Sequence, residues 1–426
     1  MSDIYFVSPY PKRQLWKKKK TIFKLPPLTL YLLKGLTPPR YSTCIIDEST
    51  GDFNFTAIHC CIVCISLLTS NAERGFLLAK KLAKTNTVVC GGIHASALPK
   101  EISRYAHAVC VGEIEHVWPA ILRDIENTRL KAIYFSRTRP YANDIGQAAY
   151  IPKTYVMKNV ASFSRGCPFN CSFCSVSRLF GQTCRRRPVS GVYFNLHMQN
   201  RGLHVLLDDN IVTSKRYIKQ LCASISRLRI KWVGQAPLQA LQDSETVAAL
   251  KKSGCIALLV GIETVAEAKK KQMEKLKNVR NTKKIVDHVK AKGILLHGSF
   301  IFGFDGEHQD IFTETLAFAD DMRIDTANFS ILVPYPGTRI YRDLYHQNRL
   351  FPFDNWNKFD RLDVLFDTRG NSAQTLKKGI LWMYMKFYSF AHILRNVPYK
   401  SVSTLMIYIA YSYNYKKGTY KYAKML

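Results

Sequence analysis

Short apolar runs alternate with stretches of helical periodicity over the first 135 residues. Five apolar runs have the length and β-branched character of buried strands, and two longer amphipathic stretches have helical spacing. The strand candidates are IYFVS, TCIID, AIHCCIVCIS, TVVCGG and AVCV, and the helix candidates are NAERGFLLAKKLAK and IEHVWPAILRDIEN. This βαβ alternation predicts a Rossmann-like, doubly wound parallel sheet over residues 1–135.

Ligands bind beyond the carboxyl ends of the strands in such sheets. The polar and glycine residues that follow the strand candidates are therefore candidate contacts, and a glycine there lets a ligand approach the backbone. These residues are Ser66, Thr69, Gly91, Gly92, His94, Gly112, Glu113 and Glu115. Taken singly they predict little, because a Gly-Gly pair after a strand is often only a tight turn and a lone histidine is often structural.

A second pattern begins after a linker predicted at 136–158, which contains Pro140 and Pro152. Six strand candidates separated by helical stretches predict a partial (β/α)6 barrel over 159–345; they are ASFSR, HVLLD, IKWVGQ, CIALLVG, ILLHGSFIFG and ANFSILV. Functional side chains project from the carboxyl ends of barrel strands. Those ends carry Asp208, Asp209, Gln235, Glu263 and Gly303, although any of the polar ones can instead be a helix cap.

Three cysteines with close spacing follow the first barrel strand. Cys167, Cys171 and Cys174 form Cys-x₃-Cys-x₂-Cys in ASFSRGCPFNCSFCSVS. Iron-sulfur clusters prefer four thiolates, so a loop that supplies three leaves one iron of a 4Fe-4S cluster open to an external ligand. The alternatives are a zinc site, which needs a fourth protein ligand, and ordinary buried cysteines.

The remaining cysteines show no disulfide framework and are predicted to be reduced and buried. They are Cys44, Cys60, Cys61, Cys64, Cys90, Cys110, Cys184, Cys222 and Cys255. Cys61 and Cys64 spell Cys-x₂-Cys, but they lie in an apolar run, where core packing is the favoured role.

The cysteine loop resembles the radical S-adenosylmethionine (SAM) superfamily, whose signature has an aromatic residue before the third cysteine, here Phe173. The resemblance implies that SAM is the fourth cluster ligand and is cleaved to a 5′-deoxyadenosyl radical. It also implies that Asp208 or Asp209 replaces the usual Gly-Gly-Glu segment and that Glu263 lies near the ribose. The usual fifth-strand pattern Gly-x-Ile-x-Gly-x-x-Glu is matched only in part, by Ser299, Ile301 and Gly303.

The segment GGIHASALPKEISRYAHAVCVGEIEHVWPAIL resembles the cobalamin-binding domain in front of many radical SAM enzymes, where Gly-Gly-x-His and Gly-Glu-x-Glu recur at this separation. The resemblance implies cobalamin as a further cofactor, bound by the residues that follow the first-domain strands. The Asp-x-His-x-x-Gly motif of other cobalamin proteins is absent, so no histidine from that motif is expected on the cobalt.

The net charge is +31, with basic residues concentrated in KRQLWKKKKTIFK and after Thr375, and the last 51 residues contain no acid. Such density predicts either an anionic partner, with a membrane surface favoured over nucleic acid, or only a solvated basic face. Residues 346–426 are predicted to form a helical, Tyr/Lys-rich region. It can cover the barrel, lie on a membrane or stack on nucleic acid, and covering the barrel is favoured.

No signal peptide is recognised, and no apolar run reaches the roughly 18 residues of a membrane span. The predicted location is the cytoplasm, with peripheral contact to the inner face of the membrane. The expected partners are a reductant protein such as flavodoxin or ferredoxin and a lipid, peptide or natural-product substrate.

Together these features predict a cobalamin-dependent radical SAM enzyme that methylates an unactivated carbon. One alternative keeps both cofactors for cyclisation, oxidation or carbon-carbon bond formation without methyl transfer. Another is a methylthiotransferase acting on nucleic acid, but its three further cluster cysteines and β-rich C-terminal module are not found. A non-catalytic iron-sulfur or cobalamin sensor is the alternative from a different class.

Overall fold

A computed structural model describes residues 3–11, 25–140, 151–152, 155, 157–199, 202–267, 273, 276, 281–353, 356–389, 391–392, 409 and 413. Within these residues the chain forms two six-stranded sheets and one two-stranded sheet. The basic stretch at 12–24 and nearly all of the Tyr/Lys-rich end lie outside the described residues, as does most of the predicted linker.

The first sheet is entirely parallel, with the strand order β2-β1-β3-β4-β5-β6. Its strands are β1 (Ile4–Ser8), β2 (Thr43–Asp47), β3 (Ile62–Ser66), β4 (Thr87–Gly91), β5 (Ala108–Val111) and β6 (Ile133–Phe135). Its helices are α1 (Leu28–Leu36), α2 (Ala72–Leu82), α3 (Ile93–Ala97), α4 (Pro99–Ile102) and α5 (Trp118–Glu126). The predicted doubly wound sheet is confirmed, while α1, α3, α4 and β6 were not predicted.

Both faces of this sheet are buried. Successive side chains of a strand point to opposite sides of the sheet, so each strand contributes to two apolar cores. Val63 and Ile65 belong to one apolar core, whereas Cys64 between them belongs to the other. This explains why the strands read as continuous apolar runs and not as alternating ones.

The second sheet is also parallel, and its strand order follows the chain, β7-β10-β11-β12-β13-β14. The strands are β7 (Val160–Ala161), β10 (Leu203–Leu206), β11 (Lys231–Gln235), β12 (Cys255–Glu263), β13 (Leu295–Phe302) and β14 (Thr326–Ile331). The helices between them are α7 (Val189–Met198), α8 (Lys215–Ile225), α9 (Ser244–Lys252), α10 (Thr282–Ala291) and α11 (Ile311–Asp321). The predicted six-stranded partial barrel is confirmed.

The first predicted barrel strand is divided in two. Val160–Ala161 pairs with β10, whereas β8 (Ser164–Arg165) leaves the barrel and pairs antiparallel with β9 (Arg185–Arg186). A short helix, α6 (Val176–Leu179), lies between β8 and β9.

The open edge of β14 is covered by α13 (Ala373–Phe387), which follows α12 (Arg339–His346) in the described chain. The hydroxyl of Tyr388 accepts from the Ala327 amide at 2.9 Å and donates to the Ala327 carbonyl at 2.6 Å. Tyr384, one turn earlier, does the same for Phe329, at 3.1 and 3.0 Å. Two tyrosine hydroxyls therefore satisfy backbone groups that a further strand would otherwise pair.

Between α12 and α13 the chain returns to the first domain as a segment that we call the strap, residues 350–353 and 356–368. Trp356 packs against His94, with ring centroids 4.7 Å apart. The Trp356 amide donates to Glu73 and its indole donates to Glu101, both at 3.0 Å. The predicted helical C-terminal region is confirmed by α13 within the described residues, and it also contains a non-helical connection that completes the first domain's core.

Within the described residues, no helix combines the length and the apolar character that crossing a bilayer requires.

Candidate functional site: the cysteine loop and the interdomain cavity

The three spaced cysteines lie on one loop, residues 166–184, which we call the cluster loop. Its base is closed by the β8–β9 ribbon, in which Ser164 pairs with Arg186 and Arg165 with Arg185. The Cys167 amide donates to the Gly181 carbonyl at 3.1 Å, so the two ends of the loop are also joined by a backbone hydrogen bond. The ribbon presents the loop as one unit.

Cys167, Cys171 and Cys174 are half-buried. Burial raises the pKa of Cys167, while hydrogen bonds from Phe169 and Asn210 act in the opposite direction. Among the residues that the structure describes, no three His, Cys, Asp or Glu side chains are arranged to hold a single metal ion. A zinc site would need a fourth protein ligand, whereas a cubane cluster binds each thiolate on a different iron.

Helix α12 fastens the far side of the cluster loop. The Ile340 amide donates to the Ser172 carbonyl at 3.0 Å, and Phe173 packs edge-on against Phe304 at 6.0 Å. Beside these contacts lies a cavity of about 550 Å³ with mixed polar and apolar walls. This size suits a small cofactor. Its lining residues include Cys171, Phe173, Gly303, Asp305, Arg339 and Arg349.

Of the predicted SAM contacts, Phe173 and Gly303 line this cavity, whereas Asp208, Asp209, Gln235 and Glu263 do not. Asp208 is buried and accepts hydrogen bonds from the Phe163 amide at 3.1 Å and from the Ser164 hydroxyl at 2.6 Å. It also accepts from the Ser164 amide. Asp208 therefore braces the point where the barrel strand turns into the cluster loop.

Burial raises the pKa of both neighbouring carboxyls. The pKa of Asp208 rises to about 7 despite its accepted hydrogen bonds. The pKa of Asp209 rises to about 6, with the positive charge of Arg165 opposing the shift. A carboxyl with a pKa near 7 at the base of the loop is one of the perturbed groups that mark functional sites.

Gln235 is exposed at the end of β11, and Glu263 is buried at the end of β12. Glu263 has a φ of 65°, a left-handed conformation that is strained for a glutamate, and it lies at a register shift between β12 and β13. Strained residues at strand ends cluster at functional sites. Its role in binding remains a prediction.

Glu307 is a site residue that sequence reasoning missed. Its carboxylate accepts from the Gly303 amide at 2.8 Å, the Phe304 amide at 3.1 Å and the Thr264 hydroxyl at 2.9 Å. It therefore joins the ends of β12 and β13 beside the 550 Å³ cavity. The fifth-strand pattern places its acid at position 306, where this chain has Gly306, and the glutamate one position later was the available signal.

A second cavity, of about 270 Å³, lies at the carboxyl ends of β3, β4 and β5. Helix α1 contributes Leu32 and Leu33 to it, and the second domain contributes Arg165, Leu179 and Phe180. We call it the interdomain cavity. Of the predicted cobalamin contacts it is lined by Ser66, Gly91, Gly92, Gly112, Glu113 and Glu115.

Thr69 and His94 do not line the interdomain cavity. His94 is fully buried and packs between Phe76 and Trp356, at centroid distances of 5.8 and 4.7 Å. Both aromatic rings belong to the core on the opposite face of the sheet from the cavity. The histidine of the Gly-Gly-x-His segment thus packs against the strap and does not line the interdomain cavity.

Gly92 was expected to let a ligand approach the backbone, but its conformation and packing give another reason for a glycine. Gly92 has a φ of 102°, and a Cβ built there would lie 2.6 Å from the Leu67 carbonyl oxygen. The chain's own packing therefore requires this glycine. A Cβ at Gly91 would come no closer than 3.7 Å to any neighbour, so sterics do not require that one.

The prediction that the other cysteines are buried is wrong for some of them. Cys60 is exposed, and Cys44 and Cys184 are half-buried, whereas Cys61 and Cys64 are buried in the sheet as expected. Cys184 lies close to the cluster loop's first cysteine, and its thiol contacts the Gly166 carbonyl at 3.7 Å.

Residues 161–319 match the protein family described as the Radical SAM superfamily. This part of the chain is a radical SAM domain. The match covers the cluster loop and most of the barrel, and the resemblance read from the cysteine spacing is thereby confirmed.

Two relatives extend the likeness of this radical SAM protein beyond the barrel. It is 27% identical to the bacteriochlorophyllide d C-12(1)-methyltransferase of Chlorobaculum tepidum over 395 residues, 88% of this chain and 86% of the relative. It is 24% identical to the anaerobic magnesium-protoporphyrin IX monomethyl ester cyclase of Rubrivivax gelatinosus, over 67% of this chain and 58% of the relative.

Among solved structures, the cobalamin-dependent radical SAM enzyme OxsB, with aqua-cobalamin and SAM bound, superimposes with a TM-score of 0.69. The match covers 99% of this chain and 72% of OxsB at 13% sequence identity. The order of a Rossmann-like domain followed by a partial barrel is therefore shared across nearly the whole chain.

Proposed function

We propose that this protein is a cobalamin-dependent radical SAM methyltransferase that acts on an unactivated carbon. The observation that carries the proposal is the position of the interdomain cavity. It lies at the strand ends where Rossmann-like sheets bind ligands, and Arg165, Leu179 and Phe180, at the base of and within the cluster loop, form part of its wall. The methyltransferase relative, matched over most of both chains, supports the reaction type.

Each cofactor has a set of residues that fits it. Cys167, Cys171 and Cys174 would hold the 4Fe-4S cluster, and the 550 Å³ cavity beside Phe173 and Gly303 would hold SAM. The interdomain cavity would hold one part of cobalamin, which is larger than this space. When bound, the cluster and SAM supply a 5′-deoxyadenosyl radical, and cobalamin supplies a methyl group.

The chain's own contribution is placement and exclusion of water. The interdomain cavity has mainly apolar walls, which include Val89, Ile114, Trp118 and Phe180. Apolar walls keep water away from reactive species. A reductant protein such as flavodoxin or ferredoxin is the proposed source of electrons.

The substrate class to test first is a tetrapyrrole, because the names of both relatives point to tetrapyrrole substrates. The test uses anaerobically reconstituted protein with dithionite and SAM that carries a deuterated methyl group. We expect deuterated methyl in the product together with released 5′-deoxyadenosine. Cys184→Ala should retain both, whereas Cys167→Ala should lose both.

The second candidate is radical chemistry without methyl transfer, which the likeness to the cyclase favours. This chemistry uses the same cofactors, but the deuterated methyl group of SAM does not appear in the product. Release of 5′-deoxyadenosine with an altered substrate that carries no deuterium would replace the methyltransferase proposal with this one. Absence of both products with every tetrapyrrole tested would remove the substrate class.

A further inference from the structure

Four charged side chains, Glu113, Glu115, Arg165 and Arg185, form an ion-pair network between the two domains, which we call the charged clamp. We propose that Glu113 and Glu115 are positioning residues that fix the cluster loop against the first domain through Arg165 and Arg185. This assigns the Gly-Glu-x-Glu segment a role other than direct contact with a cofactor. The inference rests on the proposed cluster site.

The geometry of the clamp is close and reciprocal. Glu113 binds both arginines, with Oε2 at 2.6 Å from Arg165 Nη1 and Oε1 at 2.7 Å from Arg185 Nη2. A further bond joins Arg185 Nη1 to Glu113 Oε2 at 3.1 Å, which makes that pair bidentate. Glu115 Oε1 lies 2.5 Å from Arg165 Nη2. Bidentate pairs of this kind fix orientation as well as distance.

The clamp is also nearly dry. The exposed fractions of the side chains are 2% for Glu113, 3% for Glu115, 14% for Arg165 and 11% for Arg185. Two positive and two negative charges balance within the group. Breaking a buried pair by removing one partner is strongly destabilising, because the other charge is left without compensation. Substitution of either glutamate should therefore leave the charge of its arginine partner uncompensated and disturb the position of that arginine.

Both arginines stand at the base of the cluster loop. Arg165 is the last residue of β8 and Arg185 the first of β9, and they pair with each other across the ribbon. Arg185 also donates to the Phe180 carbonyl, inside the cluster loop, at 3.0 Å. Its second extra bond goes to the Pro140 carbonyl at 2.9 Å. One guanidinium thus joins the first domain to the base and the interior of the loop.

The clamp lies between the two proposed cofactor positions. Glu113, Glu115 and Arg165 line the interdomain cavity, and the same arginine begins the loop that carries the three cysteines. Both oxygens of Glu113 are already engaged by guanidinium groups, which makes this carboxylate a poor recognition group for a ligand. Glu115 pairs with Arg165 through Oε1 alone, and its Oε2 has no hydrogen-bond partner among the described residues. Misplacement of reacting groups by about 1 Å can slow a reaction a hundredfold, so a rigid connection here has a direct chemical purpose.

The test measures the cluster in protein that holds neither cobalamin nor SAM, so that loss of a cofactor contact cannot produce the effect. The readouts are the rate of iron release to a chelator and the electron paramagnetic resonance spectrum of the reduced cluster. Glu113→Gln should release iron at least about tenfold faster than wild type and change the spectrum. The matched control is Glu126→Gln, since Glu126 pairs with Arg40 on the surface of the same domain, with exposed fractions of 43% and 63%. It should stay within about twofold of wild type.

A milder variant keeps the test decisive if Glu113→Gln fails to fold. Glu115→Gln breaks only the pair with Arg165 and leaves Glu113 with both arginines, so it should accelerate iron release by a smaller factor. Where Glu113→Gln folds, combining it with Arg185→Gln should raise the rate by less than the product of the single effects, because both remove the same contact.

Wild-type iron release and spectrum in Glu113→Gln and Glu115→Gln, together with weaker cobalamin binding, would overturn the clamp and make both residues ligand contacts. A wild-type protein that takes up no iron is a different result, since it removes the proposed function itself.

Discussion

The two six-stranded parallel sheets differ in how their strands are ordered and in the part of the site that each supplies. In the first sheet β3 lies on the opposite side of β1 from β2, so the strand order reverses between β1 and β3, and the interdomain cavity lies beside this reversal, at the carboxyl ends of β3, β4 and β5. In the second sheet the strands follow one another from β7 to β14, and the sheet forms a partial barrel without a reversal.

The first domain also depends on the second to a degree that its own strand pattern does not show. Its core on one face includes Trp356, Phe359 and Leu365 of the strap, and its Glu113 and Glu115 are paired with arginines of the β8–β9 ribbon. The barrel edge is instead covered by α13, with Tyr388, directly after this helix, bonded to Ala327, 61 residues earlier in the chain. Both domains are thus completed by contacts distant in sequence, the first domain by side chains of the strap and the β8–β9 ribbon and the barrel by a single helix.

The largest expected effect comes from removing the strap's anchor. Trp356→Ala deletes a buried indole and its two-ring contact with His94 and Phe353, which should lower the free energy of unfolding by about 3–5 kcal/mol. Urea unfolding of the cluster-free protein measures this. Phe351→Ala, at an exposed position of the strap, should change it by about 0.5 kcal/mol or less. Equal stability of the two variants would mean that the first domain does not need the strap.

These contacts show where prediction from the sequence ends. Apart from β6, the strands of both sheets were predicted, because strands buried on both faces leave continuous apolar runs. The strap was not, since Trp356 meets partners 283 and 255 residues away, Glu73 and Glu101. No local pattern records such a distance.

The same reason explains the divided first strand and the clamp. ASFSR has a strand-like pattern, but the Ser164 hydroxyl and amide donate to the carboxylate of Asp208, 44 residues away. Ser164 then pairs with Arg186 and not with a barrel strand. The cysteine spacing is local in sequence, so the cluster loop could be predicted. The family resemblance led to Glu113 and Glu115, but only the folded chain shows that Glu113 faces arginines 52 and 72 residues away and that Glu115 pairs with the first of these, Arg165.

The next largest effect concerns the glycines of the first domain. Gly92→Ala must place a methyl group against the Leu67 backbone in a conformation that favours glycine, and we expect a loss of about 2–3 kcal/mol. Gly51→Ala is the matched control, because a Cβ there meets nothing within 4 Å. Thermal unfolding without cofactors compares the two. A stable Gly92→Ala with weakened cobalamin binding would restore ligand approach as the reason for this glycine.

The smallest effect is expected at the barrel edge. Tyr388→Phe leaves the amide and carbonyl of Ala327 without their hydroxyl partner in a buried setting and should destabilise the protein by about 1–2 kcal/mol. Tyr384→Phe should have less effect, because Tyr384 is only half-buried. Tyr345→Phe, at an exposed position, is the control. Hydrogen exchange at Ala327 that is unchanged in Tyr388→Phe would show that α13 does not protect this edge.

The central claim, that the cluster loop holds a three-cysteine cluster with an open iron, is tested most directly by electron paramagnetic resonance of anaerobically reconstituted, dithionite-reduced protein with and without SAM. Wild type and Cys184→Ala should both show a reduced 4Fe-4S signal that changes when SAM is added, and the Ala variants of Cys167, Cys171 and Cys174 should show none. A signal that survives in those three variants, or one in wild type that SAM leaves unchanged, would contradict the claim.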